Sequence, residues 1–593
     1  MRQIEQPRIL DERYNPSITD NSMYILRFRY LLKREDGTLE TPVEMFRRVA
    51  WNIAEAERIF APDISPEAVL AYAESFFTIM TDFRFLPNAP ALLGAGGPLQ
   101  QLAACYVLPI EDSIESIFET LRMAAIVHSR GSGTGFNLSA LRPRGTPIAT
   151  GGVSTGPVSF MRIFDMETEI IKQGGTGWGA NMGMLRCDHP DIQEFVTAKS
   201  TGAGLQNFNI SVGVTDEFMR LSRTGGTFAL VDPQSGRKAG TVNPRELLDR
   251  IALEAWKTGD PGLLFLDRIE RDNPTPQLGR IEVTNPCGEA PLLPYEGCWL
   301  GGINVAAHLD SRKRAVDWES LRQTCSIACR MMDNALEVSS YPLPQLKEAT
   351  QRTRKLGIGV MGFADMLVQM NIPYGSPESE SLARDLMSFI QESLEETSVM
   401  LGRERGVFPA YPDSRLAAEG AKGRRNATVT ANAPNSTIAA IAGCSSGIEP
   451  IFSIAYSKQL RNGDTLNEIH PEFLRMARSL GFYSERLVDR VLNEGSIQSI
   501  SEVPQAVKDV FLTAHDISAG GHIRIQSAFQ DHIELAVAKT INLANHARPE
   551  DVKSAFLLAG ESGCKGITCF RDGCRDRAFL DPGHKTARSG LSC

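Results

Sequence analysis

CYVLPIEDSIESIFETLRMAAIVHSRGSGTGFNL, residues 105–138, reads as strand, helix, strand. The run from Cys105 to Pro109 is apolar and strand-like. Residues 113–128 carry Ile114, Ile117, Leu121, Ala124 and Ala125 on one helical face. Residues 131–138 are a glycine turn that leads into a second strand. Residues 208–212 alternate like a strand, and residues 355–362 and 438–448 repeat the theme. Strands alternating with helices predict an α/β class with a large parallel barrel. The alternation begins near residue 86 and is expected to run to residue 575.

Before that stretch the chain has a different character. Thr41-Pro42-Val43-Glu44 opens a helix with a capping threonine and a proline in the first turn. Phe46, Val49, Ala50, Ile53 and Ala54 follow at helical spacing, and Ser65-Pro66-Glu67 opens a second helix that ends near Met80. Residues 1–85 are therefore expected to form a mainly helical N-terminal domain, residues 86–575 the barrel, and residues 576–593 a polar tail.

Composition narrows the function. The 593 residues are 42% hydrophobic and 22% charged, as in globular domains. The net charge of -9 argues against a nucleic-acid-binding surface. The N-terminus lacks a secretory apolar region and no apolar run reaches the length of a membrane span, so a cytoplasmic location without membrane contact is expected. There are 11 cysteines and no Cys-x-x-Cys pair, which removes zinc-ribbon and thioredoxin-type readings. Cys325 and Cys329 lie one helical turn apart in the amphipathic stretch 321–332 and read as core thiols.

Asn285-Pro286-Cys287-Gly288-Glu289 is the most informative segment. Proline and glycine bracket a cysteine, which fits a tight turn that projects a thiol. Glu289 is placed to serve as a base on a bound hydroxyl, and Asn285 to hydrogen-bond the same substrate. Read alone, the segment is equally a structural turn with an incidental cysteine. Cys298 follows 11 residues after Cys287, and Cys105 sits on the early strand.

These three segments together resemble the catalytic subunit of ribonucleotide reductases, and residues 20–575 can be followed against that family's pattern. The resemblance implies a ten-stranded α/β barrel with a central finger loop carrying the radical cysteine. It implies that Cys287 holds a transient thiyl radical, that Glu289 takes the proton of the ribose 3′ hydroxyl, and that Asn285 hydrogen-bonds the ribose. It further implies that Cys105 and Cys298 act as a dithiol and finish as a disulfide, reset by a thioredoxin-like reductant. The substrate would be a ribonucleotide, expected as the diphosphate with the triphosphate left open by the sequence, and the product a DNA precursor.

Other sites follow from the same resemblance. Pro434, Asn435, Ser436, Thr437 and Ile438 precede a small-residue helix; alone they are a capped helix start, and in the family the matching segment cradles the substrate phosphates. Gly133, Ala89 and Ala104 would line the substrate pocket with Cys105, Asn285, Pro286, Cys287, Gly288 and Glu289. Ala89 stands where the family usually has Ser or Thr, and Ala104 where Ser is common, so contact there would be backbone or packing. Cys444 reads as packing. Residues 172–181 and 199–208 read as loops that would link a deoxynucleoside triphosphate effector to substrate choice. Asp112 and Ser113 match positions that meet the effector at a homodimer interface, although Asp112 is equally readable as a helix cap.

The chain has no Tyr-Tyr pair, and residues 561–573 resemble the adenosylcobalamin-dependent type, so adenosylcobalamin is the implied cofactor. No Asp-x-His-x-x-Gly motif is present, so no protein metal ligand is expected. The helical pattern starts close to residue 20, so an ATP-cone regulator is not expected. The family's C-terminal cysteine pair is not recognisable: the sequence ends Leu591-Ser592-Cys593, and Cys569 and Cys574 are expected on the last strand and its turn. Two competing readings remain at this stage. One is a catalytically silent nucleotide-binding regulatory relative; the other is a reductase that needs a separate radical-generating subunit.

Overall fold

The computed structural model describes residues 8–149, 151–174, 179–202, 204–310, 313–459 and 465–574. Its first part is helical. Thr41 and Glu44 form a reciprocal capping box at the start of Pro42–Ala54, with proline in the first turn. Ser65 caps Pro66–Thr81 through the Ala68 amide. The two helices pack together through Val49, Ile53, Phe76, Phe77 and Met80, all buried. Both starts are where the sequence predicts them.

The rest closes into a ring. Strands Cys105–Val107, Gly133–Asn137, Asn181–Arg186, Phe208–Val214 and Gly262–Phe265 run parallel in that order. Gly297–Cys298 continues into Leu300–Asn304, which pairs in parallel with Gly357–Met361. Ile358 then bridges Thr430, and Asn432 bridges Val537, both in parallel, and that segment continues into Thr540–Leu543. Thr540–Leu543 pairs in parallel with Gly566–Arg571. The ring therefore has ten staves in two parallel halves of five. The halves meet antiparallel at two seams, Gly566–Arg571 against Gly262–Phe265 and Gly297–Cys298 against Cys105–Val107. Helices such as Ile114–Ser129 and Trp318–Val338 fill the crossovers between parallel staves.

A short hairpin stands inside this ring. Val283–Thr284 pairs antiparallel with Pro291–Leu292, and the segment 285–290 forms its tip. It touches both halves. Asn137 donates to Glu282 at 2.8 Å and Asn209 to the Pro286 carbonyl at 2.8 Å from one half. The Ala536 amide donates to the Glu289 carbonyl at 2.9 Å from the other. Glycine creates the clearance: a Cβ on Gly135 would stand 2.1 Å from the Thr284 carbonyl oxygen.

The helical part is tied to the barrel by buried charge. Glu57 receives Arg330, Arg405 and the Asn334 amide. Asp333, fully buried, receives Arg354 at 2.6 Å, Arg405 at 2.9 Å and Arg425 at 3.5 Å. Burial alone would raise the Asp333 carboxyl, but the arginines hold it below the usual range. Cys325 and Cys329 lie buried on Trp318–Val338, as core thiols.

Two outcomes are expected. Asp333→Ala strands three guanidinium groups, and urea denaturation should show a loss of about 3–5 kcal/mol. Gly135→Ala forces the hairpin away from its stave and should cost about 1–3 kcal/mol by the same measurement.

Candidate active site

The tip of the hairpin is built by its own backbone. The Gly288 amide donates to the Asn285 carbonyl at 3.1 Å, and the Asn285 amide to the Ala290 carbonyl at 3.2 Å. Gly288 has φ +90°, a conformation that favours glycine. Asn285 is buried and held in one orientation: its Oδ1 accepts from the Ala290 amide at 3.0 Å, and its Nδ2 donates to Glu289 Oε1 at 2.9 Å. Pro286 is buried, while Cys287 at the tip is exposed. A Cβ built on Gly288 would meet nothing within 4 Å, so the Cys287–Gly288 edge faces open space.

Glu289 is the electrostatic feature of the site. It is buried, its Oε2 has no hydrogen-bond partner among the described residues, and burial pushes its carboxyl up to about 7. An unpartnered buried carboxylate oxygen costs free energy until a donor arrives. A bound hydroxyl is such a donor, and a carboxyl poised near neutrality is suited to accept its proton.

Cys105 and Cys298 are register partners across the antiparallel seam. Directly opposed antiparallel residues have Cα atoms about 4.5–5.5 Å apart, inside the window in which a disulfide closes without backbone movement. Burial holds the Cys298 thiol well above the usual range. Gly133 joins the pair to the tip: a Cβ there would lie 2.9 Å from Pro286 Cγ and 3.2 Å from Cys105 Sγ. The Ala104 carbonyl accepts from the Gly133 amide at 3.1 Å, and the Ala104 amide donates to the Cys298 carbonyl at 3.1 Å. Ala104 thus contributes backbone, as its side chain requires.

The segment 434–438 sits on the neighbouring staves. Asn435, with φ +57°, precedes helix Ser436–Ala442 and donates through Nδ2 to the Val360 carbonyl at 3.2 Å. A Cβ on Gly302 would meet Asn435 Nδ2 at 2.9 Å and Ile438 Cδ1 at 3.3 Å. Gly302 is four residues beyond Cys298 on one stave, roughly 13 Å at strand rise. Pro434, Asn435 and Thr437 are partly accessible, Ser436 is exposed and Ile438 is buried. Ala89 opens helix Ala89–Gly94, and Asn88, its cap, donates its own amide to the Leu300 carbonyl at 2.9 Å.

Several readings change. Ser113, not Asp112, caps helix Ile114–Ser129, accepting from the Ser116 amide at 3.0 Å. Asp112 instead accepts from the Arg142 amide at 2.8 Å and from its guanidinium at 2.6 Å. Sequence alone cannot separate adjacent Asp and Ser as caps; the long-range arginine decides. The glycine-rich stretch 172–181 is partly regular, since residue 174 ends helix Pro157–Gly174 and Asn181 begins a strand; residues 175–178 lie outside the described residues. The tail, with Cys593, also lies outside them. Cys569 is buried on the last stave, and Cys574 follows it. Asn209, which holds the Pro286 carbonyl, carries no sequence signal.

A closed ten-stave barrel with a thiol turn inside it and a thiol pair on its seam belongs to the class of cysteine-based oxidoreductases. Residues 103–570 match the family model described as ribonucleotide reductase, barrel domain, and residues 17–100 match ribonucleotide reductase, all-alpha domain. The chain is 42% identical to the vitamin B12-dependent ribonucleoside-diphosphate reductase of Thermoplasma acidophilum, covering 96% of this chain and 81% of that one. It is 45% identical to the protein of the same description from Mycobacterium tuberculosis, covering 94% and 80%. Among solved structures, the class Id ribonucleotide reductase alpha subunit of Actinobacillus ureae shares the fold, with TM-score 0.76, 23% identity and coverage of 94% and 99%. The chain belongs to the ribonucleotide reductase family.

The raised Glu289 carboxyl has a thermodynamic consequence. Between its ordinary 4.5 and about 7, the folded protein keeps a proton that the unfolded chain releases. The favourable contribution of the protonated form is present below 4.5 and is lost as pH rises through 7. Glu289→Gln removes this dependence. By denaturation, the variant should match wild type at pH 4.5 and exceed it at pH 8, by up to roughly 3 kcal/mol.

Proposed function

We propose that this chain reduces ribonucleoside diphosphates to deoxyribonucleotides by thiyl-radical chemistry, with adenosylcobalamin as radical source and Cys105 and Cys298 as reductant. The observation that carries the reading is the direct pairing of Cys105 with Cys298 across the seam, beside the turn that projects Cys287. A ribose held there lies against a thiol, a base and a two-electron donor at once.

The donor set is compatible with the cofactor. The edge of the turn at Gly288 is clear, with nothing within 4 Å of a built Cβ, and the neighbouring Cys287 is exposed, which leaves room for a bulky cofactor ring. Cys287 and Gly288, on the open edge of the turn, would face it. When bound, adenosylcobalamin supplies the radical equivalent that oxidises the Cys287 thiol.

The residues then act in order. The Cys287 thiyl takes the 3′ hydrogen atom of the ribose. Glu289 accepts the 3′ hydroxyl proton, and Asn285 orients the hydroxyls while fixing Glu289. The 2′ hydroxyl leaves as water, with a proton from the thiol pair. Cys105 and Cys298 deliver two electrons and two protons and end joined by one S–S bond, and Cys287 returns a hydrogen atom to the 3′ carbon. The balance is ribonucleotide plus two thiols to deoxyribonucleotide, disulfide and water. A thioredoxin-like reductant resets the disulfide by thiol exchange. The segment 434–438 holds the substrate phosphates through backbone amides and the Ser436 and Thr437 hydroxyls.

Regulation belongs to the outer face. Asp112 and Ser113 lie at the start of helix Ile114–Ser129, and Arg142 reaches Asp112 there from the segment after strand Gly133–Asn137. A cleft of about 680 Å³ on the adjoining helix Pro157–Gly174 is lined by Ser159, Arg162, Asp165 and Glu167. These groups support a deoxynucleoside triphosphate effector site. Ile114, Phe118, Met166 and Ile170 form an exposed apolar surface on the same two helices, which suits a second copy of the chain. No helix among the described residues is long and apolar enough to cross a membrane.

With adenosylcobalamin and dithiothreitol, and no second protein, the chain is expected to turn over. Silence that another subunit relieves would refute the cofactor assignment, and silence under every condition would point to a regulatory relative. Cys287→Ser is expected to abolish reduction. Cys105→Ser and Cys298→Ser are expected to block dithiothreitol-driven turnover while leaving the fold intact by circular dichroism.

A further inference from the structure

Helices Ile114–Ser129 and Pro157–Gly174 pack side by side over the staves Gly133–Asn137 and Asn181–Arg186. Between them runs a chain of polar side chains that the reaction itself does not use. His128, Thr134, Thr168 and Asn181 are all fully buried. His128 Nδ1 lies 3.0 Å from Glu167 Oε2, and Nε2 lies 3.0 Å from Thr134 Oγ1. Thr134 Oγ1 lies 2.6 Å from Asn181 Oδ1, and Asn181 Nδ2 lies 2.7 Å from Thr168 Oγ1.

Counting donors orients the whole chain. Thr168 has one hydroxyl proton, which goes to the Phe164 carbonyl at 2.7 Å or to Glu167 Oε2 at 3.2 Å, both acceptors. Thr168 must then accept from the Asn181 amide, so Asn181 turns its carbonyl oxygen to Thr134. Thr134 donates its single proton there, which leaves its lone pair for an N–H of His128. Among the described residues Thr134 and His128 have no other side-chain hydrogen-bond partner, so displacement of one end is passed on rather than absorbed.

The two ends of the chain lie on different sites. Glu167 lines the cleft on the outer helix. Thr134 stands between Gly133, against Pro286 and Cys105, and Gly135, against Thr284. We propose that His128 and Thr134 are positioning residues that transmit occupancy of the cleft to the stave Gly133–Asn137, and through it to Cys105 and the turn of Cys287. The inference rests on the effector reading above. A ligand that prefers one position of the outer helix then shifts the position of the redox pair, by linkage.

Thr134→Val keeps the shape and removes the hydroxyl; Thr134→Ser keeps the hydroxyl. Each full-length variant would be assayed with adenosylcobalamin and dithiothreitol on a mixture of ribonucleoside diphosphates. Product ratios would be read with and without a deoxynucleoside triphosphate, and binding of that triphosphate by calorimetry. In wild type the triphosphate should change the product ratio by about fivefold or more. Thr134→Val should keep triphosphate affinity and basal reduction within about threefold of wild type while the change in ratio falls to near one. Thr134→Ser should restore it, and His128→Gln should behave as Thr134→Val does. A full response in Thr134→Val overturns the inference, as does loss of binding, basal reduction or folding together with the response, because the chain is then only structural. Wild type that reduces substrate without any response defeats the inference alone. Wild type that reduces nothing defeats the function proposed above, and the inference with it.

Discussion

The antiparallel seam between Gly297–Cys298 and Cys105–Val107 is the constraint on which the rest depends. Eight of the ring's junctions are parallel, and crossover helices separate their partners widely in sequence. The two junctions where the halves meet run the other way. One of them sets two cysteines 193 positions apart directly opposite each other (298 − 105). A slip of one residue would turn one thiol to the opposite face of its strand. The opposition of Cys105 and Cys298 is therefore a consequence of how the barrel closes.

Closure also decides what fits inside. A ring of ten staves leaves room for a hairpin, provided the staves beside it carry little side chain. Gly133 and Gly135 meet that condition where the hairpin passes, and larger residues there would meet Pro286, Cys105 and the Thr284 carbonyl. Asn209 and Ala536 then clamp the tip from opposite halves. The accessible thiol of Cys287 therefore sits on a turn that is fixed at both flanks.

Two buried carboxyls show how surroundings divide labour. Asp333 is enclosed by arginines, stays ionised, and ties the barrel's outer helices to one another, while Glu57, on the helical domain, receives Arg330 and Arg405 of the barrel. Glu289 is equally buried but has one amide partner and an unpartnered oxygen, and its carboxyl moves up to about 7. Paired burial yields a structural anion and unpaired burial yields a titrating one. The second is the arrangement expected beside a reacting hydroxyl.

Much of this was legible along the chain. The caps at Thr41 and Ser65, the strand–helix–strand rhythm from Cys105 to Leu138 and the Pro-Cys-Gly turn are set by neighbours a few residues away, so local propensity and periodicity reveal them. Other features were decided only by tertiary structure. Cys105 meets Cys298 because strands far apart in sequence pair in one register. Asp112 binds Arg142 and leaves the cap to Ser113, and Asn209 holds Pro286, through contacts between distant segments. Glu289 is a carboxylate like any other until burial removes its water. Turn chemistry and helix starts are short-range and are written in the sequence; strand register, desolvation and long-range hydrogen bonds come into being only when the ring closes.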